Sequence, residues 1–208
     1  MVDRATVIGR GLAVDGGAVA NDAIRPRRAD AQRNYNALLE AANMVFLRDV
    51  DAPLEEIARV AGVGIGTLYR HFPSRDALLE AVYRNEVERL TASAAELAAE
   101  FPPFEALSEW LRRFIDYVAT KRGLSSALKA MTTSSPELFE SSRVRMLNAM
   151  GLLVGGAVAA HAIRDDVSAD DLFRALGGIC NANQQPDWQD HAKRLVDLLL
   201  DGLRYGVS

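Results

Sequence analysis

Between Ala61 and Phe72 the sequence reads AGVGIGTLYRHF, the stretch of this chain whose residue types could do the most chemistry. Glycines stand at 62, 64 and 66, followed by Thr67, Tyr69, Arg70 and His71. Closely spaced glycines can let backbone amides close on a nucleotide phosphate. A Walker loop needs G-x-x-x-x-G-K-[ST], and no Lys follows these glycines. A dinucleotide fingerprint needs G-x-G-x-x-G after a strand, whereas Gly62, Gly64 and Gly66 follow a helical pattern. Both nucleotide readings fail on spacing and context.

The same residues meet the needs of a helix–turn–helix: two short helices joined by a tight turn. Gly62 can take the left-handed conformation that such a turn demands. Val63 can plug the turn into a core, and Gly64 can stand at the N-cap of the second helix without a capping side chain. On that helix Leu68 and Phe72 recur at i and i+4 and point inward, leaving Thr67, Arg70 and His71 on the outer side. Tyr69 is intermediate, its ring packed and its hydroxyl free. Thr, Tyr, Arg and His all donate to phosphates, contacts that fix register without reading sequence. Base edges in a major groove would meet the helix start, at Gly64, Ile65, Gly66 and Thr67. That start is poor in hydrogen-bond donors. Ile65 could touch a thymine methyl, and the glycines allow close approach. Ile65 also stands three residues before Leu68, so core burial is equally open to it.

These residues need helices to hold them, and nearly everything after residue 28 reads as helix. Tyr35, Leu38, Leu39, Ala42, Val45 and Phe46 share one face of a helix over about 30–47. Pro53 suits the first turn of the next helix, with Asp51 or Ala52 near its cap, and Gly62 stops it. The helix after the turn must end before Pro73. Ser74 caps a long helix to about residue 99, and FPPF at 101–104 breaks the chain. Helices are then expected over about 104–121, 124–132 and from Pro136 to about 163. Ser168 and Asp187 cap the last two. No stretch alternates as a strand. The expected fold is all-α: a three-helix head over 25–74, a larger helical body over 75–208, and a flexible tail over 1–24.

Composition agrees. The 208 residues are 49% hydrophobic, enough for a sizeable core, and the single cysteine rules out a disulfide within the chain. Cys180 reads as a small buried hydrophobe. The net charge of −4 is unevenly spread: residues 25–75 carry eight Arg against six acids, while the rest is acidic. A basic segment around the helix–turn–helix fits nucleic acid. No secretory signal is visible, so a cytoplasmic location is expected. The longest uncharged run, 146–163, holds Asn148 and His161 and is short for a membrane span. It is expected to be a buried helix, with Gly151, Gly155 and Gly156 against a neighbour, and no membrane partner is expected.

LLEAANMVFLRDVDAPLEEIARVAGVGIGTLYRHFPSRDALLEAVY, residues 38–83, resembles the DNA-binding domain of the TetR family of bacterial transcriptional regulators. The resemblance implies a DNA-binding head and a ligand-binding, dimer-forming body. It implies phosphate contacts at Thr67, Tyr69, His71 and Arg75, and base contacts near Gly64 to Thr67. Two positions depart from the family's pattern. Pro53 stands where a phosphate-binding Thr or Ser is frequent, and Gly64-Ile65 where a Ser-Lys pair is frequent.

The resemblance further implies that the last two helices pair with a second copy, and DLFRALGGIC and RLVDLLLDGL are apolar enough to need one. A pocket for a small-molecule effector would lie among the helices over 75–163. Trp110, Phe114, Met131, Phe139, Met146 and Met150 are candidates to line it, although aromatics and Met at helical spacing also make ordinary core. Three scattered His and one Cys give no metal site, no cofactor is implied, and no Ser–His–acid set or acid pair suggests catalysis. The sequence thus points to a dimeric regulator, read as a repressor, that binds palindromic double-stranded operator DNA and is released by an effector. The donor-poor helix start leaves open a ligand-binding protein of the same fold that no longer reads DNA.

Overall fold

The computed structural model describes residues 24–125, 128–129, 135–182 and 185–205. Eight helices lie in full among the described residues: α1 Ile24–Arg48, α2 Leu54–Val60, α3 Ile65–His71, α4 Arg75–Glu100, α5 Pro103–Gly123, α6 Pro136–Ala159, α7 Ala169–Asn181 and α8 Trp188–Arg204. There is no strand among the described residues. The expected tail lies outside them up to residue 23, as does most of the short helix expected over 124–132.

Helices α2 and α3 pack on each other and on α1, forming the head. α4 packs against α1, α5 and α6, while α8 lies on α5 and α7. One buried apolar cluster runs without a break from Leu38 in α1 to Leu203 in α8. The head therefore joins the body through the packing of α1 on α4 and α5. A Cβ added to Gly123, at the end of α5, would stand 2.8 Å from Leu47 Cδ2, so α1 and α5 meet closely there.

Several boundaries differ from the sequence expectation, each for a local reason. α1 begins at Ile24, because Arg25 to Gln32 can continue a helix that has no apolar stripe to announce it. Pro26 is tolerated there because it lies in the first turn. Pro53 is itself the N-cap of α2, with ψ of 143°, in place of Asp51 or Ala52. Ser74 caps α4 by accepting the Ala77 amide at 3.1 Å. Ser168 and Asp171 close a full capping box on α7. Asp187 stands at the N-cap of α8 without a side-chain bond.

α6 stops at Ala159, short of the expected end near 163. His161 adopts φ of +52°, and its amide and that of Ala162 bond back to Val158 and Ala157 at 2.9 and 2.8 Å. This is a helix stop usually made by glycine. The same helix is buried on one side only. Leu152 is 52% exposed, and a Cβ at Gly151, Gly155 or Gly156 would meet nothing within 4 Å among the described residues, so these glycines are not sites of close helix contact there.

Candidate nucleic-acid interface

The turn between α2 and α3 is built as its residues demand. Gly62 has φ of +69°, the left-handed region. The Gly62 and Val63 amides close on the Arg59 and Ala58 carbonyls at 3.2 and 3.0 Å, ending α2. Val63 packs half-buried against the core. Gly64 is the N-cap of α3, and its carbonyl accepts from the Thr67 and Leu68 amides.

Leu68 and Phe72 anchor α3. Leu68 is wholly buried, and the Phe72 ring lies 5.1 Å from that of Tyr35 on α1. That fixes which side of α3 faces out. Gly64, Ile65, Gly66, Tyr69 and Arg70 are exposed, while Thr67 and His71 are half-buried at the edges. Ile65 is 36% exposed, and so belongs to the outer face, not the core. Tyr69 is 47% exposed, more open than its expected packed ring. His71 turns one side inward, edge-on to Tyr35 at 5.8 Å.

Arg75 makes contacts within the head that the resemblance did not announce. Its Nη1 and Nη2 donate to the carbonyls of Val50 and Ala52 at 2.9 and 2.6 Å, and the guanidinium stacks 5.7 Å from the Phe46 ring. One N–H of each Nη is given to the α1–α2 loop. Arg75 therefore clamps the loop that sets the start of α2, a role no spacing rule announces.

In the body, Trp110 is wholly buried and its indole N–H donates to the Leu90 carbonyl at 2.9 Å. Phe114 stacks between Trp110, Tyr117 and Phe173, and Met146 and Met150 are buried in α6. Phe139 is half-buried, 5.1 Å from the Tyr83 ring. Met131 lies outside the described residues. The Tyr117 hydroxyl donates to that of Tyr83 at 3.4 Å, and its pKa is raised by burial and by its tyrosine neighbour.

A cleft of about 700 Å³ opens between α1, α4 and α5, beside Asn43, Glu86 and Tyr117. Asn43 Nδ2 donates to Glu86 at 3.2 Å, while its buried Oδ1 has no donor among the described residues. Sequence reasoning missed this cleft, because its walls come from three helices and include no aromatic run. On α7 and α8 an apolar groove of about 530 Å³ is edged by Ile179, Leu195, Leu198 and Leu199. Leu198 is 68% exposed. No helix among the described residues is long and apolar enough to cross a membrane.

The exposed, basic second helix of a helix–turn–helix defines a DNA-binding head on a helical body, and the comparisons agree. Residues 38–82 match the family described as bacterial regulatory proteins, tetR family, and residues 102–205 match the SbtR-like transcriptional regulator C-terminal domain. The solved structure of the TetR transcriptional regulator SCO0520 from Streptomyces coelicolor is 50% identical. It covers 81% of this chain and 97% of its own, with a TM-score of 0.75. The HTH-type transcriptional regulator SAR0097 of Staphylococcus aureus is 29% identical over 85% of this chain and 97% of its own length. The HTH-type transcriptional repressor LfrR of Mycolicibacterium smegmatis is 36% identical over 41% of this chain and 43% of its own. The chain belongs to the TetR family and is a transcriptional regulator with an N-terminal DNA-binding domain.

Proposed function

We propose that this chain is a homodimeric repressor that binds a palindromic operator and is released by a small-molecule effector. The observation that carries the DNA step is the outward face of α3. There Tyr69 and Arg70 stand exposed beside Thr67 and His71, all able to donate to phosphates. Gly64 to Thr67 face the base edges. Arg75 supports this face indirectly, through the α1–α2 loop. The head is residues 25–74 and the ligand-binding, dimer-forming body 75–208.

The uncovered groove on α7 and α8 supports pairing with a second copy through these two helices. Two heads would then meet half-sites about 34–36 Å apart. The effector enters the body among α4, α5 and α6, against Phe114, Phe139, Met146 and Met150, with Trp110 as a rigid wall and Met131 nearby in sequence. An effector that favours a body shape with badly spaced heads lowers operator affinity by population shift. LfrR, a repressor by name, supports the sign of regulation. The test is a gel-shift on DNA upstream of the chain's own coding region, repeated with candidate metabolites. A retarded band that a metabolite abolishes is expected. A band that every metabolite leaves intact argues against effector release, and no band argues for a ligand-binding protein that no longer reads DNA.

A further inference from the structure

The fold does not require glycine at position 66. The position is helical, its backbone is not left-handed, and a Cβ there would meet nothing within 4 Å. Glycine inside a helix is a destabilising choice compared with alanine. At 100° per residue, Gly66 falls in the middle of the exposed arc of α3. Ile65 and Tyr69 flank it on one side and Arg70 on the other, all exposed. The result is a notch on the outer face, with an apolar wall and a cationic wall, whose floor is bare backbone. Ile65 is 36% exposed, so part of its side chain is open on this face, and none of Gly64, Ile65 and Gly66 carries a side-chain donor for a base edge.

Resting on the DNA-binding reading above, we propose that this notch is the specificity determinant of the protein. A base pair seats against the backbone at Gly66, and Ile65 packs on the C5-methyl of a thymine. The operator is then read by methyl contact and close fit rather than by bidentate hydrogen bonds. In the major groove only thymine offers a methyl, so apolar contact alone can distinguish it.

The experiment starts by selecting duplexes from a random pool with the wild-type protein and measuring their affinity by fluorescence anisotropy. Each thymine of a half-site is then replaced by deoxyuridine, which removes only the methyl. One such position is expected to weaken binding about fourfold per half-site, by the loss of one buried methyl group. In Ile65→Ala the same replacement is expected to have no effect. Gly66→Ala is expected to raise the melting midpoint by about 2 °C, as alanine favours the helix, yet to weaken binding at least tenfold. Opposite signs in stability and affinity separate a lost groove fit from a damaged fold. If Gly66→Ala binds as well as wild type, or uracil is neutral at every position, the notch is overturned while DNA binding stands. If no duplex is enriched at all, the DNA-binding reading fails and the notch with it.

Discussion

Arg70 and Arg75 are five residues apart and are held differently. Arg70 stands exposed on α3, so Arg70→Ala should leave the melting midpoint nearly unchanged. It should weaken binding to all sequences alike and lower the slope of log affinity against log salt by about one per subunit, read by anisotropy titrations. Arg75→Ala removes the donors to the Val50 and Ala52 carbonyls, so it should cost about 1–2 kcal/mol in a urea unfolding experiment. His71→Ala should affect both affinity and stability, because its ring also packs on Tyr35. Burial lifts the Cys180 thiol to about 11 despite the nearby Arg122. Its folded value lies above its unfolded one, so the protonated thiol's share of stability holds below the unfolded value. That share fades as pH rises through about 11. Native protein at pH 8 should therefore resist thiol alkylation.

Helix ends show what the sequence could and could not tell. Ser74 and Ser168 were legible as caps, because a short hydroxyl before an acidic first turn has one obvious use. Ser168→Ala should cost about 1 kcal/mol by denaturant unfolding. Gly62 was legible too, since the turn needs a residue that accepts positive φ. The end of α6 was not, because an αL histidine carries no sequence signature. His161→Gly should relieve that conformation and raise stability by about 1 kcal/mol, seen as a higher urea midpoint. The start of α1 escaped pattern reading for a related reason. Periodicity marks the residues that bury a face, and Ala29 to Arg33 are all exposed. The side of Ile65 was open in the sequence, since helical spacing fits both core and surface. Only the packing of Leu68 and Phe72 decided it.

Across the whole molecule, the all-helical plan and the head were readable from periodicity and one gapless motif, while the body's working surfaces were not. The candidate lining residues Trp110, Phe114, Met146 and Met150 are all deep in the core, where helical spacing would put them in any case. The cleft beside Asn43 draws on residues far apart in the chain, which pattern reading does not bring together. The groove on α7 and α8 was better signalled, because α8 carries more apolar residues than one face can bury. Leu198→Glu should convert a dimer into a folded monomer in sedimentation velocity. That variant should lose most affinity for a two-half-site duplex while keeping its weak affinity for a single half-site.

Whether the outward face of α3 grips DNA is read from a salt titration of a duplex selected by the protein. A gripping face gives affinity that falls steeply and linearly on logarithmic axes, with a gentler slope in Arg70→Ala. An affinity indifferent to salt, or a slope that Arg70→Ala leaves unchanged, would contradict it.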